Sequence, residues 1–540
     1  MASVYVERLD HLGLLASTIR DLGLIGMIDA RLVPDEQEEI TPGEAVAGMI
    51  LNGLGFAHRP LSLTPQFCAH TPLDLLCRGG VHAEMFHRFQ LGRTLDAVYA
   101  DGGDVLLSAL AVAVCAQAGI DLRFHHLDTT RCARSGADVP DSDEHAMTLP
   151  HGDSKAHRPD WKQAVWELMV SQAGGVPVVS KSWAGHASDT QMFQERAAAL
   201  LATWKRSPTP RSLGADAKLY HAAHAANLRQ LGFSTRLPNT LTLMAQVLGQ
   251  ALREDTGHRL DEPTRSQRIA LCHYGMAPRW LVVSSQAALE RAKASVNTAQ
   301  PRDAEGLAKP LFPRQAHRFE TPAAAHAAVG ARATSWRYHQ GAIWRLMAHQ
   351  HSACKGRPTP TTPRKAMDWQ RQAQGRPDHE KMARHIHHQG CLVVGTNSEV
   401  GHLSALEVMA AYKGQAQAEG GFRLLTAPLF FVSSLFVKKP GRMQGLLLVM
   451  TCALLVYAVA QRRLRQYLTR QNETIPNQSN QPTARPTLRW VFQRLEGMHR
   501  VRVTGQGKVH DLIEGLNEVQ IKILRLFGEE VCRLYQISPG

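Results

Sequence analysis

The sequence contains no C-x-x-C pair. Its nine cysteines (Cys68, Cys77, Cys115, Cys132, Cys272, Cys354, Cys391, Cys452 and Cys532) are scattered along 540 residues. That scatter suggests neither a zinc site nor a disulfide framework, and it fits a reducing cytoplasm. The opening stretch MASVYVERLDHLGLL is charged too early and too often for a secretory leader, so none is expected. Acidic residues are in deficit: 47 Asp and Glu face 61 Lys and Arg, leaving a net charge of +14. A surplus of that size suits a polyanion partner, either nucleic acid or a membrane surface. A second long apolar run is also absent. Met443–Ala460 is about the minimum length for a bilayer span. Gln444 and Thr451 interrupt it, and Lys438, Lys439 and Arg442 on one side face Arg462, Arg463 and Arg465 on the other, giving no inside–outside asymmetry. The run is therefore read as a helix buried on all sides in a large core, with no membrane partner. A membrane-anchored protein is the competing reading.

The length allows two to four domains. Residues 1–118 read as a helical N-terminal domain, with Thr41-Pro42-Gly43-Glu44 as a helix start of N-cap, N1 proline and N3 acid. Residues 119–240 change character. A short strand-like segment, Asp121–Asp128, precedes two apolar runs, Gln163–Ser171 and Val176–Trp183. These flank Gly174-Gly175 as in a β-hairpin. A helix from Ser188 to Trp204, a strand at Arg211–Asp216 and a helix at Ala222–Leu231 follow, so the block reads as a mixed α/β sheet. Residues 241–390 read as an insertion, part β and part helix, in which His385, His387 and His388 are expected to be solvated loop histidines. Residues 391–470 return to the core pattern with a strand at Cys391–Gly395. Residues 471–540 form a linker and tail, with a strand-like piece at His499–Val503 and helices at Val519–Phe527 and Glu529–Tyr535.

After the strand at Cys391 comes a helix expected to run unbroken from Ser404 to Leu425. Ser404 and Glu407 form a capping box at its start. Tyr412, Gln415, Ala416, Glu419 and Arg423 fall on one face at steps of three and four. Glu419 thus joins Asp128 and Asp216, each at the end of a short strand, as an acid at a place where α/β sheets put ligand groups. With no Cys or His partner, three such acids favour a hard cation such as Mg²⁺. Two ions about 3.5–4 Å apart activate the attacking oxygen and stabilise the leaving one at a phosphodiester. Each acid also has an ordinary reading: Asp128 as a turn acid, Asp216 as a helix cap, Glu419 as a solvated side chain near a fraying end.

The motifs LDTTR around Asp128, GDSKAHRPDWKQ at 152–163, WAGHASDTQMFQER at 183–196, GADAKLY around Asp216, AAYKGQAQAEGGFR around Glu419 and FFVSSLFVKKPGRMQGLLLVM, taken together, resemble the RNase H-like DDE transposases of bacterial insertion sequences. The branch is the one with a Y-x2-R-x3-E-x6-K signature and an insertion before the last acid. The likeness runs from about residue 5 to residue 505, with 88 residues between the first two acids and 203 between the last two. The resemblance implies an α/β fold: an RNase H-like mixed sheet flanked by helices, an N-terminal helical domain and a large α+β insertion before the last catalytic acid. It implies that Asp128, Asp216 and Glu419 are the catalytic triad, holding two Mg²⁺ (or Mn²⁺) ions. It also implies double-stranded DNA partners (element ends and target), a homodimer on DNA and a cytoplasmic setting. Tyr412 matches the signature tyrosine. Gln415 and Thr426 stand where the signature has Arg and Lys, which raises the alternative of a catalytically impaired DNA-binding remnant. Lys155, His157, Arg158, Lys162, Lys218, Arg423, Lys438, Lys439 and Arg442 are candidate phosphate contacts, because ammonium and guanidinium groups pair with phosphate oxygens.

Overall fold

The structure is a computed structural model that describes residues 3–56, 60–134, 162–204, 211–254, 257–261, 264–315, 318–327, 337–352, 364–399, 401–427, 437, 439–505 and 508–539. The chain divides into two compact units, Met1–Thr235 with Glu407–Gly540, and Arg236–Leu406.

The first unit is built on five strands: β1 (Phe124–Arg134), β2 (Lys162–Ser171), β3 (Pro177–Ala184), β4 (Ser212–Ala215) and β5 (Gly232–Arg236). They lie in the order β3-β2-β1-β4-β5. β1, β4 and β5 run parallel, whereas β2 is antiparallel to β1 and β3 to β2. The hairpin expected around Gly174-Gly175 is β2–β3. Both glycines take positive φ, 104° and 67°, which side chains disfavour. β2 is buried along almost its whole length, as its near-continuous apolar run requires for a strand covered on both faces. The one charge in that run is satisfied internally: Glu167 accepts from Trp183 Nε1 at 2.7 Å and from Arg196 Nε at 2.5 Å. Arg196 belongs to α1 (Asp189–Trp204), whose Met192 packs with Val165 and Trp183, so α1 covers one face of the sheet.

Residues alternate faces along a strand, so His126, Asp128 and Thr130 share the opposite face of β1. Across from Thr130 and Asp128 in β2 stand Trp166 and Leu168. Two helices cover this face, α3 (Ala416–Leu425) and α4 (Pro440–Arg470). Phe422 of α3 meets the Trp166 ring edge-on at 5.9 Å. Trp166 Nε1 donates to Ser180 Oγ at 2.7 Å, and Thr451 Oγ1 of α4 donates to the same oxygen at 3.1 Å. Thr451, one of the two polar interruptions of the apolar run, is thereby satisfied. α4 starts at Pro440, whose missing N–H costs nothing at a helix N-terminus. Alone among the described helices it is long and apolar enough to cross a bilayer, but 94% of its apolar window is buried within the protein. It therefore serves as a core helix of the first unit.

The N-terminal region is not wholly helical as expected. Ser3–Arg8 is a strand, paired antiparallel with His499–Gly505, which pairs in turn with Lys508–Glu514. The partner lies almost 500 residues away, so local periodicity carries no trace of it. Arg500, a fully buried residue of the strand His499–Gly505, donates to Glu7 Oε2 at 2.8 Å and to Asp74 Oδ2 at 2.9 Å. The helix start at Thr41 forms as read: Thr41 Oγ1 accepts from Glu44 N at 3.1 Å, and Glu44 Oε2 accepts from Thr41 N at 3.0 Å.

The second unit holds four antiparallel strands in the order Cys391–Thr396, Arg279–Ser285, Thr264–Ala270, His258–Asp261. A long hairpin, His339–Ser352 with Arg364–Pro377, stands beside them in its own sheet. His385, His387 and His388 sit in a helix, His379–Gly390, and not in a loop. Asp378 caps that helix by accepting from Lys381 N at 2.9 Å. His385 packs edge-on against Tyr338 at 5.3 Å.

Candidate active site

Asp128 lies on β1, partly buried, its Oδ1 accepting from Thr129 N at 2.8 Å. Burial pushes its carboxyl up to about 6, and the charges of Asp216 and Glu419 push the same way. The Thr129 amide and the Lys218 ammonium oppose them. Asp216 follows the last residue of β4. Its carboxylate accepts from Lys218 N at 3.0 Å and caps the 3₁₀ turn Ala217–Leu219, so the ordinary reading of this residue is also true. Burial raises its carboxyl; Lys218 lowers it and Asp189 raises it further. Glu419 stands exposed in the first turn of α3, near enough for its charge to act on Asp128. Three acids separated by 88 and 203 residues therefore share one electrostatic neighbourhood. They are not drawn onto a single point: among the described residues, no three His, Cys, Asp or Glu side chains stand close enough to hold one metal ion. The donor chemistry still matches a hard divalent cation, because all three groups offer carboxylate oxygens.

The helix expected from Ser404 to Leu425 is broken. α2 (Ala405–Lys413) ends at Gly414, and α3 begins at Ala416. At the break Gly414, a weak helix former, rides against the imidazole of His126, which is buried. Burial lowers the His126 pKa to about 4, so the ring is neutral at physiological pH. Tyr412 is consequently on α2, while Gln415 occupies the N-cap of α3 and Thr426 its C-cap. Gln415 makes no side-chain capping bond. Thr426 Oγ1 donates to Phe422 O at 2.7 Å and remains on the surface. Arg423 is exposed in the last turn of α3.

A further acid belongs to the site that the sequence presents only as part of a helix start. Asp189, the first residue of α1, forms an ion pair with Lys218 Nζ, and its other oxygen accepts from Thr129 Oγ1 at 3.4 Å. It so touches the neighbour of Asp128 and the residue two beyond Asp216. Its one sequence signal is an acid at a helix N-terminus, which the helix dipole favours for any reason.

The remaining candidates scatter. Lys155, His157, Arg158 and Lys438 lie outside the described residues. Lys162 is partly buried at the start of β2, and Lys439 is the N-cap residue of α4. Arg442 has a partner within the protein. Its guanidinium makes a two-pronged pair with Asp96, Nε to Oδ1 at 2.8 Å and Nη2 to Oδ2 at 2.6 Å, over Gly92. That fork geometry is what carboxylates select.

Residues 4–112 match a family model described as a domain of unknown function, DUF4277; the match ends before the first of the three acids. No curated protein matches the chain. Among solved structures, the cryo-EM structure of a piggyBac transposase synaptic complex with hairpin DNA is similar over 91% of this chain and 82% of that one, at 8% identity and a TM-score of 0.33.

Proposed function

We propose that the chain is a DDE-type transposase of a bacterial insertion sequence, cutting DNA at the element ends and joining them to target DNA from an RNase H-like core. The observation that carries this reading is the shared electrostatic neighbourhood of Asp128, Asp216 and Glu419 on β1, at the end of β4 and on α3. The strand order β3-β2-β1-β4-β5, with β1, β4 and β5 parallel, supports an RNase H-like core. The strand end is where such a sheet presents ligand groups. The basic balance of the chain, +14, supports a polyanion substrate.

In this reading Asp128, Asp216 and Glu419, drawn closer together than they stand here, would hold two Mg²⁺ (or Mn²⁺) ions, which would supply Lewis acidity for displacement at a phosphodiester. The chain's own groups do the rest. Lys218, beside Asp216, and Arg423, one turn beyond Glu419, contact phosphate oxygens of the cut strand. Burial on β1 keeps Asp128 from competing solvent. The protein acts as a homodimer on paired DNA ends in the cytoplasm.

The test is Mg²⁺-dependent strand transfer of a pre-cut end into plasmid DNA by the full chain. Joining that Asp216→Asn abolishes while end binding persists supports the reading. Normal joining by that variant removes Asp216 from the site. A second reading is favoured by Gln415 and Thr426, which stand where the signature has Arg and Lys: a DNA-binding remnant. It is distinguished by binding of ends without joining in either Mg²⁺ or Mn²⁺.

A further inference from the structure

We propose that His126 is the positioning residue of the acidic site: a single imidazole, wedged between Gly214 and Gly414, sets the spacing of the three segments that carry Asp128, Asp216 and Glu419. The inference rests on the reading of those acids as the reacting groups. His126 stands two residues before Asp128 on the same face of β1 and is fully buried. Gly214 is its register partner on β4, two residues before Asp216. A Cβ placed on Gly214 would sit 2.5 Å from His126 Nδ1. Gly414 follows the last residue of α2, five residues before Glu419. A Cβ there would sit 2.8 Å from His126 Cε1 and closer still to Nε2.

Neither glycine has positive φ. Their need for hydrogen is therefore one of space, created by the same ring from two sides. Each contact ties one acid-bearing segment to β1: the end of β4 through Gly214, and the entry to α3 through Gly414. The rest of α3 closes down in register with this: a Cβ on Gly421 would meet Leu454 Cδ2 at 3.0 Å and Leu168 Cδ2 at 3.2 Å. A close-packed interior transmits a displacement rather than absorbing it. A methyl group forced between His126 and Gly414 therefore has to lift α3, and Glu419 with it, away from Asp128. Misplacing a catalytic group by about 1 Å costs on the order of 10²-fold in rate.

The experiment is a double-mutant cycle in the full chain. Gly214→Ala and Gly414→Ala are each made alone and in a His126→Ala background. Three quantities are read: thermal midpoint, Mn²⁺ affinity by calorimetry, and strand transfer from a pre-cut end with the end-DNA Kd measured in parallel. In the His126 background, Gly414→Ala is expected to reduce strand transfer about 10²-fold and to weaken Mn²⁺ binding, with the end-DNA Kd held within about threefold. In the His126→Ala background, the same substitution is expected to change each quantity less than about threefold, because the ring it collides with is gone. Gly214→Ala should follow the same pattern. Equal losses in both backgrounds would overturn the proposal, as would wild-type transfer by Gly414→Ala. If a variant proves too unstable for kinetics, non-additive thermal midpoints support the wedge and additive ones overturn it. A wild-type chain that neither binds Mn²⁺ nor joins strands contradicts the transposase reading, and the midpoints still decide the wedge.

Discussion

The carboxylate of Asp189, at the start of α1, holds the ammonium of Lys218, two residues beyond Asp216. The other oxygen of Asp189 receives the hydroxyl of Thr129, the neighbour of Asp128. One side chain thus links the middle of β1, which carries Asp128, to the turn after β4 that carries Asp216. It also keeps a cation at their edge, where Lys218 lowers both carboxyls. Asp189→Asn should release that cation. Strand transfer is expected to fall about tenfold, an effect of roughly 1.4 kcal/mol, with end-DNA affinity little changed. Lys218→Met, in contrast, should weaken DNA binding at all sequences and reduce the slope of log K against log salt by about 1. A salt titration of both variants separates the roles; identical behaviour would mean that Lys218 does not reach DNA.

Arg442 and Asp96 offer the complementary case. The pair is forked and partly exposed, so its worth is modest, about 1 kcal/mol or less once solvent screening is allowed for. Arg442→Met should lower the thermal midpoint by a few degrees at most and leave the salt slope of DNA binding unchanged. A lost unit of slope would place Arg442 on DNA after all.

Glu167 is the opposite extreme. It is buried, with Arg196 on one oxygen and Trp183 on the other. Glu167→Ala strands a buried guanidinium and should cost on the order of 3–5 kcal/mol, read as a fall in the chemical denaturation midpoint. A loss below about 1 kcal/mol would show that the pair is solvated and that β2 is less enclosed than described.

The pH dependence of stability carries the mark of Asp128. Its folded carboxyl titrates near 6, above the ordinary 3.8. Between those values the native state binds more proton than the unfolded one, so this group's contribution is full below about pH 4 and is lost as pH rises through 6. The partly exposed setting limits the loss to on the order of 2 kcal/mol. Asp128→Asn should flatten that segment of the stability–pH curve, and saturating Mg²⁺ should do the same in the unmodified chain. A curve unaltered by both would show that burial and the neighbouring acids do not hold the Asp128 carboxyl above its ordinary range.

Much of this was legible in the sequence, and the failures share a physical origin. The β2–β3 hairpin is local: two apolar runs around two glycines state it fully. The burial of α4 is also local, because an apolar helix polar only at Gln444 and Thr451 has to hide. Asp216 could be picked out because it ends a short apolar strand, whereas Asp128, expected at a strand end, lies in the middle of β1, which runs on to Arg134 through its pairing with β2. Legibility stopped wherever the cause lies far along the chain. At the break Gly414 packs on the ring at position 126, a contact that nothing in AAYKGQAQAEGGFR announces. The strand Ser3–Arg8 exists because His499–Gly505 pairs with it. The pairing of Arg442 with Asp96 left no local trace because the two are 346 residues apart. Asp189 looked like an ordinary helix start because the group it holds belongs to another strand's end.

The departure at Thr426 invites a gain-of-function test. Thr426 sits exposed at the C-cap of α3, its hydroxyl turned back onto Phe422 O. Thr426→Lys should raise strand transfer about tenfold or more if a cation at this position limits the reaction, since one charge-assisted contact to phosphate is worth about 1.5–3 kcal/mol. An unchanged rate would mean that Arg423 or another base already serves.

The most direct measurement compares Mg²⁺-dependent strand transfer by the wild-type chain with that of Asp128→Asn, Asp216→Asn and Glu419→Gln, under conditions where all four bind the pre-cut end. The account predicts joining by the wild type and loss of about 10³-fold or more in each variant, with end binding retained. Wild-type joining by any one of the three variants would contradict it.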